Sequence, residues 1–282
     1  MSKPAIEDFR VPYYSDKKSE NGKNAKFALK HYDCAAKPFS KGSKDEDKAQ
    51  LAALGEELDA LQDRMHSQTR ERVLLVLQGM DTSGKDGTIR AVFHEVDPLG
   101  LRIAAFRAPT LDEAAHDFLW RVHRYTPAGG EFAVFNRSHY EDVLVPRVMG
   151  TIDKDACERR YAHIRNFEAL LADSRTTIIK CFLHISKDEQ RERLQARVDD
   201  PTKHWKFDPS DIEARKYWDD YQSAYEDAIA ATSTPDAPWY IVPADSKTHR
   251  NVMVATLLVE TLNKLKLEYP PGKEDLTGVK VK

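Results

Sequence analysis

The stretch Gly79-Met-Asp-Thr-Ser-Gly-Lys-Asp-Gly-Thr88 combines a glycine-rich turn, a lysine and two carboxylates, the inventory needed to hold a phosphate chain. Gly79 to Lys85 has the G-x-x-x-x-G-K spacing of a phosphate-binding P-loop. Gly79, Gly84 and Gly87 let successive backbone N–H groups turn inward, including those of Met80, Thr82 and Ser83. A helix starting behind the loop adds its positive end, and Lys85 can reach terminal phosphates. Two residues depart from the usual pattern. Asp86 follows the lysine where a Ser or Thr hydroxyl would touch magnesium, and Asp81 sits inside the loop. A carboxylate beside polyanionic phosphate is repulsive unless a cation bridges them, so Asp81 reads as a metal-facing residue.

Such a loop needs a strand before it and a helix after it. The apolar run Val73–Leu77 supplies the strand, and Thr88–Glu95 is compatible with the helix, stopped at Pro98-Leu-Gly100. Four further strands are expected at Leu101–Phe106, Glu131–Phe135, Thr176–Leu183 and Trp239–Val242, the second of the five being buried. Helices are expected between them. Asp47–Met65 carries Leu51, Leu54, Leu58, Leu61 and Met65 at helical spacing and predicts a helix laid on the domain. A helix from Thr110 has the apolar face Leu111, Ala115, Phe118, Leu119 and Val122, with Asp117, Arg121 and Arg124 on its polar side. Lys154–Asp173 and Lys247–Lys264 are also helical. Ser186 with Glu189, and Ser210 with Glu213, read as capping boxes. The second opens a helix carrying Ala214, Trp218, Tyr221 and Tyr225 on one stripe. Strands alternating with helices imply a parallel sheet covered on both faces, with ligands bound beyond the carboxyl ends of the strands.

Two other chemically loaded stretches fall at those ends: Arg107-Ala-Pro109, and Asn136-Arg-Ser-His-Tyr-Glu141 directly after the third strand. In P-loop enzymes the latter place carries a metal-directed acid. Asn136 is neutral and ligates magnesium weakly, so Glu141 is the nearest carboxylate able to join Asp81. Arg137 can meet phosphate bidentately, which lysine cannot do. The bland alternative is a strand-end turn whose Asn caps the next helix and whose Glu is solvated. Between the last two strands, Arg191–Lys206 contains Arg191, Arg193, Arg197, Lys203, His204 and Lys206, with Asp199-Asp-Pro201 breaking the helix. A solvated helix laced by pairs such as Glu189 with Arg193 explains such a run. So does a mobile lid that closes cations over phosphate. His116, His123 and His139 lack ligand spacing and read as structural.

The whole chain has 282 residues, 43 basic and 46 acidic, with a formal net charge of −3. Global charge gives no case for nucleic acid or membrane, so a polyanion site must be a local cationic patch. The three cysteines, Cys34, Cys157 and Cys181, lack metal-ligand spacing and cannot all pair, which suits a reducing cytosol. No apolar run approaches a membrane span, and the start has no signal core, so a cytoplasmic location is expected. Residues 1–45 read as a polar N-terminal arm packed over the domain, with linker-like Ser15–Lys23 and Lys41–Glu46. Residues 46–268 read as the catalytic domain, with a lid at about 186–215, and 269–282 as a charged tail.

These motifs resemble the polyphosphate kinase 2 family. Its G-x-D-x-x-G-K-x-G loop, F-(D/N)-R-S block and D-P-x-K-x-W-K segment stand here as Gly79–Gly87, Phe135-Asn-Arg-Ser138 and Asp200-Pro-Thr-Lys-His-Trp-Lys206. The likeness spans roughly residues 30–265 and includes the unusual Asp81 and Asp86. It implies a three-layer, thymidylate-kinase-like P-loop fold with a five-stranded parallel sheet and a helical lid. It further implies a magnesium-dependent, reversible transfer of phosphate between inorganic polyphosphate and nucleotides. The Asn-Arg-Ser-His-Tyr-Glu-Asp version resembles the branch that accepts AMP and ADP, so adenine nucleotides are the expected partners, with guanine nucleotides as the alternative. On this basis Asp81, Lys85 and Arg137 are expected to be catalytic, and Asp81 and Glu141 to hold Mg2+. Loop residues 79–87 with Arg107 and Asn136 would bind phosphate and nucleotide. Arg137, Arg197, Lys203 and Lys206 would line the polyphosphate track, and a homo-oligomer is expected. The rivals are an ATP-dependent nucleoside or nucleotide kinase of the same fold and a non-catalytic polyphosphate-binding protein.

Overall fold

In the computed structural model, which describes residues 5–14, 27–272, 274 and 279–281, the expected apolar runs become one five-stranded parallel sheet. In chain order the elements are α1 (Lys44–Gln68), β1 (Arg72–Gln78), α2 (Lys85–Val92), β2 (Leu101–Ala105) and two short helices, α3 (Leu111–Ala114) and α4 (Trp120–His123). Then come β3 (Phe132–Asn136), α5 (Glu141–Val148), α6 (Lys154–Asp173), β4 (Thr176–His184) and α7 (Lys187–Val198). A 3-10 turn (Pro201–Lys206), α8 (Pro209–Ala214), a second 3-10 turn (Arg215–Tyr217), α9 (Trp218–Thr232), β5 (Trp239–Pro243) and α10 (Lys247–Lys264) complete the domain. The expected linker at Ser15–Lys23 and part of the tail lie outside the described residues.

The sheet order is β2-β3-β1-β4-β5. β1 is therefore central, buried on both faces, which is why it reads as an unbroken apolar run. Alternate side chains along a strand point to opposite faces, and two cores follow. Leu74 and Val76 join Phe135, Tyr161, Phe182, Tyr225 and Trp239 beneath α5, α6 and α9. Val73, Leu75 and Leu77 join Leu58, Met65, Ile89, Val92, Val134, Met253 and Leu258 beneath α1, α2 and α10. Truncating a fully buried residue such as Leu258 to Ala would cost about 2–5 kcal/mol. Ile6 and Val11 from the start of the chain, and Leu29, are buried in these same cores.

Register positions the site. Leu77, at the end of β1, lies opposite Asn136 of β3, and Ala105 of β2 lies opposite the same Asn136. The loop after β1, the block after β3 and the turn after β2 are thus adjacent at the carboxyl edge of the sheet.

Several local expectations are corrected. β2 is an edge strand rather than a buried one, and Ile103 is 52 % exposed. α2 ends at Val92, well before Pro98. The helix from Thr110 keeps its capping box with Glu113 but breaks into α3 and α4, because the Asp117 carboxylate accepts from Leu119 and Trp120 N–H and starts a new turn. Leu111 is consequently 94 % exposed, and Arg121 is buried rather than on a polar side. Ser186 does cap α7, but Glu189 spends its carboxylate on Arg193 instead of completing the box. Ser210 is not a cap: Asp208, one residue before Pro209, accepts from the Ser210 N–H. Proline at the first helical position favours that start. The following stripe is divided among α8, the second 3-10 turn and α9, with Trp218 and Tyr225 buried and Tyr221 half-buried.

Candidate active site

The loop between β1 and α2 bends through left-handed or positive-φ backbone at Gly79 (φ 150°), Thr82 (φ 62°) and Gly84 (φ 103°). A side chain at Gly79 would meet the Leu183 carbonyl at 2.7 Å, and one at Gly84 would overlap the Arg250 guanidinium, so both positions require glycine. Lys85, the first residue of α2, is nearly buried. Its Nζ donates to the carbonyls of Gly79 (2.7 Å) and Met80 (3.3 Å), curling over the loop. Burial pulls this amine down to about 8, and Arg137 pushes the same way, while Asp81, Glu141 and Asp86 resist. A phosphate in the loop would bring further opposite charge directly to this ammonium, which donates only to backbone carbonyls.

The block after β3 supplies the facing wall. Arg137, held at φ 61°, places its guanidinium between two acids: Nη2 lies 2.7 Å from Asp81 Oδ1, and Nη1 lies 3.6 Å from Glu141 Oε2. Burial opposes this charge, yet Glu141, Asp81, Tyr225 and Asp211 outweigh it and hold Arg137 above its ordinary range. Glu141, the first residue of α5, is pushed up by burial against the pull of Arg137 and Lys85. Asn136 neither caps α5 nor faces solvent alone, since its Nδ2 donates to Asp86 Oδ1 at 2.6 Å. Asp81, Lys85, Asp86, Asn136, Arg137 and Glu141 therefore converge as the sequence suggested.

Whether this cluster suits a divalent cation is decided by its donor set. Among the described residues no three His, Cys, Asp or Glu side chains converge on a point of their own. Two carboxylates, Asp81 and Glu141, share one guanidinium. Such a pair fits magnesium, which takes one or two protein carboxylates and completes its shell with phosphate and water.

Residues 187–217 are engaged differently from the expected row of cations. Arg197 Nη1 donates to the Lys206 carbonyl (3.0 Å) and pairs with Asp211 (3.1 Å). Lys203 pairs with Asp200 at 2.7 Å, and Lys206 stands over the exposed ring of Trp205. Arg193, on the same face of α7 as Arg197, does not face the phosphate side. It grips backbone carbonyls behind the loop. Arg107 is exposed at the end of β2, its carbonyl accepting from Arg121 Nη1 at 2.7 Å; Arg121 also pairs with Asp142, next to Glu141.

Three site residues escaped sequence reasoning. Gln78 is fully buried at the last position of β1. With its amide nitrogen turned to the carboxylate, it donates to Glu141 Oε1 (3.1 Å) and accepts from the Ser138 N–H (3.1 Å). A polar residue closing an apolar strand just before the loop was its available signal. Asp211 is pushed up by burial and by the charge of Asp81, which marks it as facing the site; in sequence it is one acid in a charged stretch. Arg250 donates to the Ser83 carbonyl at 3.1 Å from α10, and no local pattern predicts that contact.

Known proteins bear on this arrangement. Residues 41–270 match the model of polyphosphate kinase 2. The AMP/ADP-polyphosphate phosphotransferase of Meiothermus ruber is 51 % identical over 247 residues, covering 88 % of this chain and 92 % of that protein. The ADP-polyphosphate phosphotransferase of Rhodopseudomonas palustris is 42 % identical over 261 residues, covering 88 % and 90 % respectively. The crystal structure of polyphosphate kinase 2 from Arthrobacter aurescens superposes with a TM-score of 0.87 at 43 % identity, covering 95 % of this chain and 96 % of that one. A P-loop with an internal aspartate, faced by an arginine that joins two carboxylates, is thus set in a chain alike over nearly its full length, and the chain belongs to the polyphosphate kinase 2 family.

Proposed function

We propose that this protein transfers phosphoryl groups between inorganic polyphosphate and adenine nucleotides, converting AMP to ADP and ADP to ATP, and reversibly. The observation that carries this is the Asp81–Arg137–Glu141 triad standing over a lysine-closed P-loop. It offers a cationic cradle with two acids and no evident covalent nucleophile, which suits direct in-line transfer driven by positioning and charge neutralisation. Lys85 leaves the Gly79 and Met80 carbonyls to meet the transferring phosphates. Arg137 binds an equatorial pair of oxygens. Asp81 and Glu141 are the residues that would hold Mg2+, which when bound supplies neutralisation of phosphate charge.

Asn136, the last residue of β3, and Arg107, two residues beyond β2, would bind the acceptor nucleotide. Residues 186–215 act as a lid within a phosphotransferase domain of residues 46–268. On binding a polyanion, Arg197 exchanges Asp211 for phosphate, and Lys203 and Lys206 extend the track. Unpaired Cys34, Cys157 and Cys181 suit a reducing, cytoplasmic setting, and association into a homo-oligomer is part of the proposal. Among the described residues no helix is long and apolar enough to cross a membrane.

The test is to incubate the protein with magnesium, AMP or ADP, and either polyphosphate or ATP, and to resolve nucleotides by chromatography. ADP and ATP formed from AMP and polyphosphate are expected. Turnover with ATP as the sole effective donor would mean a nucleotide kinase instead. Tight polyphosphate binding without turnover would mean a binding protein.

A further inference from the structure

Behind the P-loop, away from the phosphate side, one guanidinium uses every donor it has. Arg193 of α7 is almost fully buried. Its Nη1 donates to the carbonyls of Thr82 (2.9 Å) and Ser83 (3.1 Å), and its Nη2 to those of Ala244 (2.7 Å) and Asp245 (2.9 Å). Its Nε is held by Glu189 at 2.7 Å. An arginine has five N–H donors, and all five are engaged by backbone or by its own helix, leaving none for phosphate. The neighbouring carbonyl is treated likewise: Gln190 Nε2 donates to Asp81 O at 3.0 Å, and Gln190 is itself fixed by Arg215 at 2.7 Å. From the other side Arg250 donates to Ser83 O. Three consecutive carbonyls, those of Asp81, Thr82 and Ser83, are therefore tied to α7 and α10.

A trans peptide points its N–H opposite to its C=O. Tying those carbonyls back sets the direction of the N–H groups of Thr82 and Gly84, donors of an anion-binding loop, while the Ser83 N–H between them donates to the Met80 carbonyl at 3.1 Å and closes the turn. Thr82 needs such support, because a threonine at φ 62° is strained. The same guanidinium joins the loop to the end of β5 through Ala244 and Asp245, and joins both to α7. One turn further along α7 stands Arg197.

Resting on the phosphotransfer proposed above, we propose that Arg193 is a positioning residue. It orients the P-loop amides toward the donor phosphate, and it locks the root of the lid to that loop so that Arg197 is held in register with the bound chain. A lysine cannot replace it, since one ammonium has three donors from a single point and cannot span four carbonyls on two segments.

The experiment compares wild type, Arg193→Lys and Glu189→Gln by calorimetric titration with tripolyphosphate in the absence of nucleotide, by steady-state kinetics and by thermal unfolding. At a temperature well below unfolding, Arg193→Lys is expected to bind tripolyphosphate about tenfold or more weakly, the scale of loss that misplaced groups produce. Its KM for polyphosphate should rise while its KM for AMP stays within about twofold, an apparent change under half a kilocalorie. Glu189→Gln, which leaves the loop untouched and only loosens the guanidinium, should show the same pattern more weakly. It also serves if Arg193→Lys does not fold. A folded variant with wild-type tripolyphosphate affinity, or with equal losses for polyphosphate and AMP, overturns the positioning role. Tripolyphosphate binding that depends on Arg193 in a protein that makes no ADP from AMP and polyphosphate would leave this role standing and remove the proposed function.

Discussion

Replacing Glu168 with glutamine should unfold this protein far more easily, although the residue is not in the P-loop or the lid. Glu168 of α6 and Lys180 of β4 form a buried ion pair, 2.6 Å apart, with side chains 2 % and 0 % exposed. The Lys180 ammonium also donates to Tyr140 Oη (3.0 Å) and the Thr232 carbonyl (2.8 Å). The Glu168 carboxylate also accepts from Tyr140 Oη (2.8 Å) and faces His139 Nε2 (3.3 Å). Trp239 Nε1 closes the network on Thr232. Lys180 holds Glu168 below its ordinary carboxylate range despite burial. Glutamine preserves the shape but leaves the ammonium without its counter-charge. Removing one partner of a buried pair costs about 3–5 kcal/mol. For a chain of this size that corresponds to a fall in Tm of roughly 6–20 °C. Urea unfolding followed by tryptophan fluorescence measures it, since Trp239 sits in the network. Lys180→Met should cost less, because Glu168 keeps Tyr140 and His139 and can take up a proton. The cycle closed by the double variant should show coupling above about 1 kcal/mol. Because His139 and Tyr140 lie between Arg137 and Glu141, kcat should fall as well. A Glu168→Gln protein within about 1 kcal/mol of wild type, the scale of an ordinary exposed pair, would refute this account.

Three further outcomes concern the site itself. Lys85 in the free enzyme loses its proton near pH 8, so kcat/KM for polyphosphate should be full below that value and fall about tenfold per pH unit above it; Lys85→Arg should lack that limb, and a flat wild-type profile to pH 10 would contradict the role given to Lys85. Asp81→Asn should raise the magnesium needed for half-maximal activity, because an amide is a poorer ligand than a carboxylate; reduced activity with an unchanged magnesium requirement would assign Asp81 to holding Arg137 alone. Asn136→Asp would set a carboxylate against Asp86 across a 2.6 Å contact and should change the ratio of kcat/KM for AMP and ADP; an unchanged ratio with both activities intact would free acceptor choice from this position.

Much of the site is legible in the sequence alone. The P-loop spacing, the apolar strands and the polar block after Phe135 are local signals, each decided by neighbours within a few residues. Lys154–Asp173 and Lys247–Lys264 even have the helix limits that their patterns predict. Local competition explains the boundary errors. Asp208-Pro209 outcompetes Ser210 for the cap, and Asp117 restarts a helix that its apolar spacing would continue.

By itself the sequence determined that a phosphate-binding loop follows one buried strand, and that an Asn-Arg block follows another. Only the tertiary structure decided that these strands are neighbours, because the order β2-β3-β1-β4-β5 depends on crossovers that local pattern does not encode. It also decided which charges face substrate. Arg193 and Arg197 are one helical turn apart and chemically identical in sequence. Yet one meets loop carbonyls more than a hundred residues away in the chain, and the other meets Asp211 and the 3-10 turn. A guanidinium takes its role from the acceptors that surround it, and those arrive only when distant segments pack.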